Sequence, residues 1–189
     1  MKNTKVLKLA ECAILIALST VLSMINIMPF LQFGGSVTPL SMLPVILISI
    51  KYGLGWGFGS SFVYAVIQML IGLGPMMGWG LSEFVLIGSV VLDYFVAFTI
   101  LGIAGIARKK GIRGMLSGIV LALTLRFLSH FLSGIIFFSS WAWEGWNVYL
   151  YSIVYNGSYM LPELIFTLFG AYFIIAKTPY MRRLTGIDN

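Results

Sequence analysis

The chain has 189 residues, of which 59% are hydrophobic and only 10% are charged. Soluble domains carry roughly 25% charged residues, so this composition excludes an ordinary water-soluble domain and points to a chain that meets lipid. The net charge is +6, yet no basic patch interleaved with aromatics marks a nucleic-acid binder; one cysteine (Cys12) and one histidine (His130) exclude an internal disulfide and a multi-histidine metal site.

At about 20 residues per crossing, the length allows at most about seven spans. The apolar runs are long and do not alternate, which predicts helices and not strands. Six spans are expected in one bundle, a single domain over residues 1–189. The first covers residues 6–25. Lys2 and Lys5 before it and Lys8 in its first turn look like the start of a signal peptide, but no small-x-small cleavage site follows, so it is expected to stay as a span. Ala10, Ala13 and Ala17 form a small-residue stripe on it. Such a stripe lets a helix approach closely, either inside the bundle or from a separate membrane subunit. Span two, residues 38–50, is short and carries Pro39 and Pro44. Span three covers residues 56–73, where Gly55 and Gly59 are read as packing positions. Spans four, five and six cover residues 81–107, 115–138 and 148–176.

The charges orient this bundle. Every Lys and Arg except Arg126 falls before span one or in its first turn, between two and three, between four and five, or after six. The other three connections hold no Lys or Arg. The positive-inside rule makes the basic side cytoplasmic, with both termini inside a cell membrane. The outer connections are uncharged and glycine-rich around Phe33, or crowded with Trp141, Trp143 and Trp146. Those tryptophans are read as an interfacial belt or as a lid over a pocket open to the outside.

Polar residues stand where lipid makes them costly. Arg126, His130, Ser133 and Gly134 share one face of span five. Span four holds Asp93 and Tyr94; span six holds Tyr151, Tyr155, Asn156, Tyr159 and Glu163. At about 1.5 Å per residue, His130 and Asn156 lie roughly 12 Å from the outer ends of their spans, and Asp93 and Arg126 roughly 18 Å. A charge at the bilayer centre costs at least about 2.5–3.5 kcal/mol, so such groups pair or touch a ligand. One reading is an Asp93–Arg126 ion pair with His130 and Asn156 as interhelical hydrogen bonders. The other is a pocket for a flat cationic heterocycle, with Asp93 as counter-charge and aromatic walls from Tyr94, Phe138, Tyr151 and the tryptophan loop. Metalloprotease, P-loop and nucleophile-elbow motifs are all missing, so no catalysis, no cofactor and no internal ATPase are expected.

Four segments occur in an order that resembles a known family: Gln32-Phe33-Gly34-Gly35-Ser36-Val37, residues 92–98 followed by 101–105, residues 126–134, and residues 151–160. Together they resemble the thiamine-specific substrate-binding subunits (S-components, YuaJ type) of energy-coupling-factor transporters. The resemblance implies a six-helix bundle that binds thiamine from outside and works with a transmembrane coupling subunit and two ATPase subunits. It implies ligand contacts from Asp93, Tyr94, Arg126, His130, Gly134, Phe138, Tyr151 and Asn156, and docking of the coupling subunit on Ala13 and Ala17. Some members carry Glu at 93, Lys at 126, Trp at 138 and a Trp in the first outer loop. A related heterocyclic vitamin or thiamine precursor, or a membrane protein of another class, such as an intramembrane enzyme or a structural partner, stays open at this point.

Overall fold

A computed structural model describes residues 4–27, 31 and 33–179; Lys2, Gln32, Arg182 and Arg183 lie outside the described residues. The described chain is all-helical, with six apolar helices in chain order: α1 (Thr4–Ser23), α2 (Leu43–Tyr52), α3 (Leu54–Met77), α4 (Glu83–Gly105), α5 (Gly111–Phe137) and α6 (Val148–Lys177). All except α2 are long and apolar enough to cross a membrane.

The second span is helical only from Leu43, later than the expected start at residue 38. Ten residues of helix reach about 15 Å, half of a hydrocarbon core about 30 Å thick. Residues 33–42 cover the remaining depth without regular structure. Such backbone is tolerated at membrane depth only where protein satisfies it or it lines a cavity. Thr38 N donates to Glu163 Oε1 at 2.5 Å and Phe33 N donates to the Tyr155 hydroxyl at 2.9 Å, so α6 supplies the missing partners. Helix α2 itself is buried all round, with Leu43, Val45, Ile46, Ile48 and Ile50 almost inaccessible. A helix apolar on every face belongs in the middle of a bundle.

Helix α1 packs through Cys12, Ile16 and Ser19. Ser19 Oγ accepts from Val45 N at 3.2 Å, and Gln68 Nε2 donates to Ser23 Oγ at 2.8 Å. Ala10, Ala13 and Ala17 are exposed on another face, so the alanine stripe does not pack inside the bundle. The glycine reading of α3 also shifts, by two residues. Gly55 and Gly59 face open space, while a Cβ on Gly57 would lie 2.4 Å from Ser49 Oγ.

That contact belongs to a dense seam. Ser49 Oγ donates to Gly102 O at 2.5 Å and accepts from Gly105 N at 3.0 Å. A Cβ on Gly102 would come within 2.6 Å of the Phe58 backbone, and one on Gly118 within 2.1 Å of Ala104 O. Small residues thus let α2, α3, α4 and α5 meet backbone to backbone at one end of the bundle. Basic residues gather at the same end. Glu11 accepts from Lys51 and Tyr52, Lys8 lies 5.5 Å from the Tyr52 ring, and Arg108 Nη1 donates to Lys51 O at 2.8 Å.

Helix α4 is not uniformly α. Residues Val90–Val96 form a π-helical stretch and Ile100–Gly105 a 3-10 stretch. The π stretch holds both Asp93 and Tyr94, and Ser129 Oγ of α5 donates to Leu92 O within it at 2.6 Å. Such wide turns inside a helix often mark functional sites.

Candidate ligand-binding site

The glycine seam closes one end of the bundle, and the opposite end opens into a cavity of about 600 Å3. Its walls come from residues 33–42 and from α3, α4, α5 and α6. All eight residues expected at the site line it: Asp93, Tyr94, Arg126, His130, Gly134, Phe138, Tyr151 and Asn156. Helix α5 shows how the sequence arranges this. Its buried stripe is Gly114, Met115, Gly118, Ile119, Ala122 and Leu123 in the first half, then Arg126, Ser129, His130, Ser133 and Gly134. One helical face therefore packs at one end and presents polar groups at the other.

Asp93 is the polar centre. Its Oδ1 lies 2.8 Å from His130 Nδ1, and its Oδ2 accepts from Ser133 Oγ at 2.5 Å. The expected Asp93–Arg126 ion pair does not form. Two donors on one turn of α5 already take both carboxylate oxygens. Arg126 instead lays its guanidinium on the Phe98 ring, 3.8 Å from the centroid, which is close cation–π range. Its Nε and Nη1 are buried without a hydrogen-bond partner, and so is His130 Nε2.

Asn156 and Gly134 play a different part from direct ligand display. Asn156 Nδ2 donates to Ser152 O at 3.0 Å and His130 O at 3.3 Å, and its Oδ1 accepts from the Tyr159 hydroxyl at 2.7 Å. The amide thus ties α6 to the carbonyl of the histidine turn. A Cβ on Gly134 would lie 2.3 Å from Ser152 Oγ and 3.3 Å from Asn156 Nδ2, so glycine is what lets these helices meet there.

The aromatic wall differs from the sequence expectation. Trp141 sits behind the cavity, packed on Phe33 at 5.4 Å and Phe138 at 5.8 Å. Trp143 packs edge-on against Tyr151 and Trp146. The tryptophan that lines the cavity is Trp79, edge-on to Phe33 at 5.6 Å. It is the lone tryptophan of an uncharged outer connection, a signal that could have placed it at the mouth. A Cβ on Gly34 would stand 3.2 Å from the Trp79 ring, so the loop backbone passes close over it.

Sequence reasoning also left Glu163 unassigned, and the structure places it at the deep end of the cavity. Its Oε1 accepts from Thr38 N and from Thr38 Oγ1 at 2.6 Å, and Thr38 Oγ1 is 2.6 Å from Ser41 Oγ. Its Oε2 is buried with no partner. The described residues contain no group of three or more His, Cys, Asp or Glu side chains suited to a metal ion.

Comparison with known proteins bears on what such a cavity holds. Residues 9–183 match the model of the family described as thiamine transporter protein (Thia_YuaJ). The chain is 31% identical over 182 residues to the thiamine transporter ThiT of Bacillus subtilis, covering 87% of this chain and 88% of that one. It is 23% identical over 159 residues to the thiamine transporter ThiT of Lacticaseibacillus paracasei, covering 74% and 73%. Among solved structures, ThiT from Listeria monocytogenes superposes with a TM-score of 0.78 at 22% identity, covering 95% of this chain and 98% of that one, a likeness of fold.

Proposed function

As the chain belongs to the thiamine transporter protein (Thia_YuaJ) family, we propose that it captures thiamine from outside the cell as the substrate-binding S-component of an ATP-driven importer. It is a multi-pass cell-membrane protein of a transporter family and not an enzyme. The observation that carries the ligand assignment is Asp93, a carboxylate held by His130 and Ser133 inside an aromatic cavity. Thiamine is a permanent organic cation with two flat heterocycles. A fixed carboxylate answers its charge, and the faces and edges of Phe33, Trp79, Phe138 and Tyr151 answer its rings. The cavity volume falls in the range of small-molecule pockets, roughly 300–1,000 Å3.

In this reading His130 and Tyr94 flank the cationic ring, Arg126 lies one helical turn deeper, and Gly134 and Asn156 fix the spacing of α5 and α6. The energy for uptake comes from outside the chain, through a transmembrane coupling subunit and two ATPase subunits. The exposed stripe of Ala13 and Ala17 on α1 supports a docking face for the coupling subunit, because small side chains permit close helix approach.

The test is a titration of purified protein followed by tryptophan fluorescence, with thiamine, its pyrimidine precursor and riboflavin. Thiamine produces a saturable change at one site per chain. A response confined to another vitamin overturns the ligand, and a response to none of them overturns the transport reading.

A further inference from the structure

A crevice of about 500 Å3 opens at the basic end of the bundle, beyond the glycine seam from the ligand cavity. It lies between the turn that joins α2 to α3 and the turn that joins α4 to α5. Gly53 and Leu54 line it from the first turn, and residues 105–110 from the second.

Arg108 is built into this place. It is half-buried, and its Nη1 donates to Lys51 O at 2.8 Å and to Ile50 O at 3.4 Å. Those carbonyls belong to the last turn of α2, which has no further helical N–H groups to bond them. The guanidinium passes over Gly53, where a Cβ would lie 3.4 Å from Cζ and Nη2 and the backbone φ is +93°. Nη1 is thus committed to α2, and the donors on Nη2 and Nε remain for another acceptor. Lys109 and Lys110 are exposed beside it. None of the three cations forms an ion pair among the described residues. Glu11, the one described acid at this end, accepts from Lys51 and Tyr52 instead. Three consecutive like charges repel one another, so the turn favours an anion.

The crevice also selects the kind of anion. Leu54 and Ile106 line it as well and are exposed. Cations beside apolar surface at a membrane boundary match a phospholipid: its phosphate meets the cations and its chain lies along the apolar side chains. On the positive-inside rule this end faces the cytoplasmic leaflet, whose surface is negative. Inorganic phosphate or an acidic protein segment offers the charge without the chain.

We infer that this crevice binds the headgroup of an anionic phospholipid, with Arg108 as the fixed cation and Lys109 and Lys110 as the mobile ones. The site does not depend on which ligand fills the cavity at the other end.

The experiment is native mass spectrometry of the purified full chain, titrated in detergent with phosphatidylglycerol, phosphatidylcholine or glycerol 3-phosphate. Phosphatidylglycerol binds the wild type about tenfold or more tightly than phosphatidylcholine, the scale expected for two or three cations at a membrane surface. Lys109→Gln with Lys110→Gln loses most of that preference. Lys5→Gln with Lys177→Gln removes as much charge from the same end, outside the crevice, and keeps it. Arg108→Gln loses the preference too; it also uncaps α2, so the paired lysine variant decides if it does not fold. Equal binding of the two phospholipids by the wild type overturns the site. An equal loss in both paired variants also overturns it, since net charge alone would then govern binding. Glycerol 3-phosphate that displaces phosphatidylglycerol at equal concentration overturns the lipid assignment in favour of a free anion.

Discussion

Asp93→Asn removes one negative charge with almost no change of shape, and the structure lets its cost be divided. Inside the protein the carboxylate faces His130 Nδ1 and Ser133 Oγ. An amide still accepts from Ser133 and turns its NH2 toward His130, whose neutral ring offers a lone pair at Nδ1 in its other tautomer. The internal cost is therefore about one hydrogen bond, or roughly 1 kcal/mol. Toward the ligand the loss is larger. A unit pair 4 Å apart is worth about 4 kcal/mol at an effective dielectric of 20, which is an upper limit here. The Asp93 side chain is 21% exposed, and water in the open cavity weakens the pair. A charge-assisted contact of about 1.5–3 kcal/mol is the expected loss, or about ten- to a hundredfold in Kd.

The assay is calorimetric titration of both proteins with thiamine and with an uncharged analogue carrying carbon in place of the quaternary nitrogen. Wild type prefers thiamine strongly; Asp93→Asn loses that preference, and its melting temperature without ligand moves little. Untouched thiamine affinity combined with a fall in stability of about 3–5 kcal/mol, restored by Arg126→Met, would mean that Asp93 neutralises Arg126 after all. That result refutes the ligand role of Asp93.

Further consequences are open to direct measurement. Gly134→Ala sets a methyl group 2.3 Å from Ser152 Oγ, so it lowers stability by about 1–3 kcal/mol and weakens ligand binding; Ser152→Gly in the same chain recovers part of both, as thermal unfolding and titration will show. Trp79→Phe abolishes the thiamine-dependent change in tryptophan fluorescence, whereas Trp143→Phe and Trp146→Phe keep it, because only Trp79 of the three lines the cavity. Ala13→Trp or Ala17→Trp leaves thiamine binding intact in purified protein but eliminates uptake by cells and co-purification of a coupling subunit; loss of binding instead would contradict a docking role. A cysteine introduced at Lys109 stays unreactive toward an impermeant reagent added outside intact cells, and labelling there would reverse the orientation.

The spans were legible because their signals are long and redundant. Hydropathy runs on for about 20 residues, and the basic residues mark alternate connections. The site residues on α5 were legible because Arg126, His130, Ser133 and Gly134 repeat at helical spacing in an apolar run. What the sequence hid depended on local backbone detail. Residues 38–42 read as helix because they run uncharged into a helical segment, whereas the Thr38 N–H is satisfied by Glu163 from 125 positions away. Asp93 and Arg126 looked like partners by depth, but depth does not fix azimuth, and the π stretch around Asp93 turns it toward His130. Gly55 and Gly59 matched a packing motif, yet the face that packs is set by tertiary contacts, and it is Gly57 that α2 and α4 touch. The three clustered tryptophans drew attention by number, while Trp79, alone in its connection, took the place in the wall.

The wide turn in α4 has a consequence for length as well as for geometry. Its seven residues, Val90–Val96, separate an α-helical start from an α-helical continuation at Ala97. A π turn carries one residue more than the α turn it replaces, and each helical residue advances the phase by about 100°. Deleting one residue between 90 and 92 would let α4 close as ordinary α-helix, with every main-chain bond made. The two parts of the helix would then be out of phase by about 100°, and Ser89 and Asp93 could not both keep their present facing. The alignment of the carboxylate with α5 is thus stored in a residue count. A substitution tolerant of polarity and size leaves that count alone, whereas one lost codon erases it without breaking the helix.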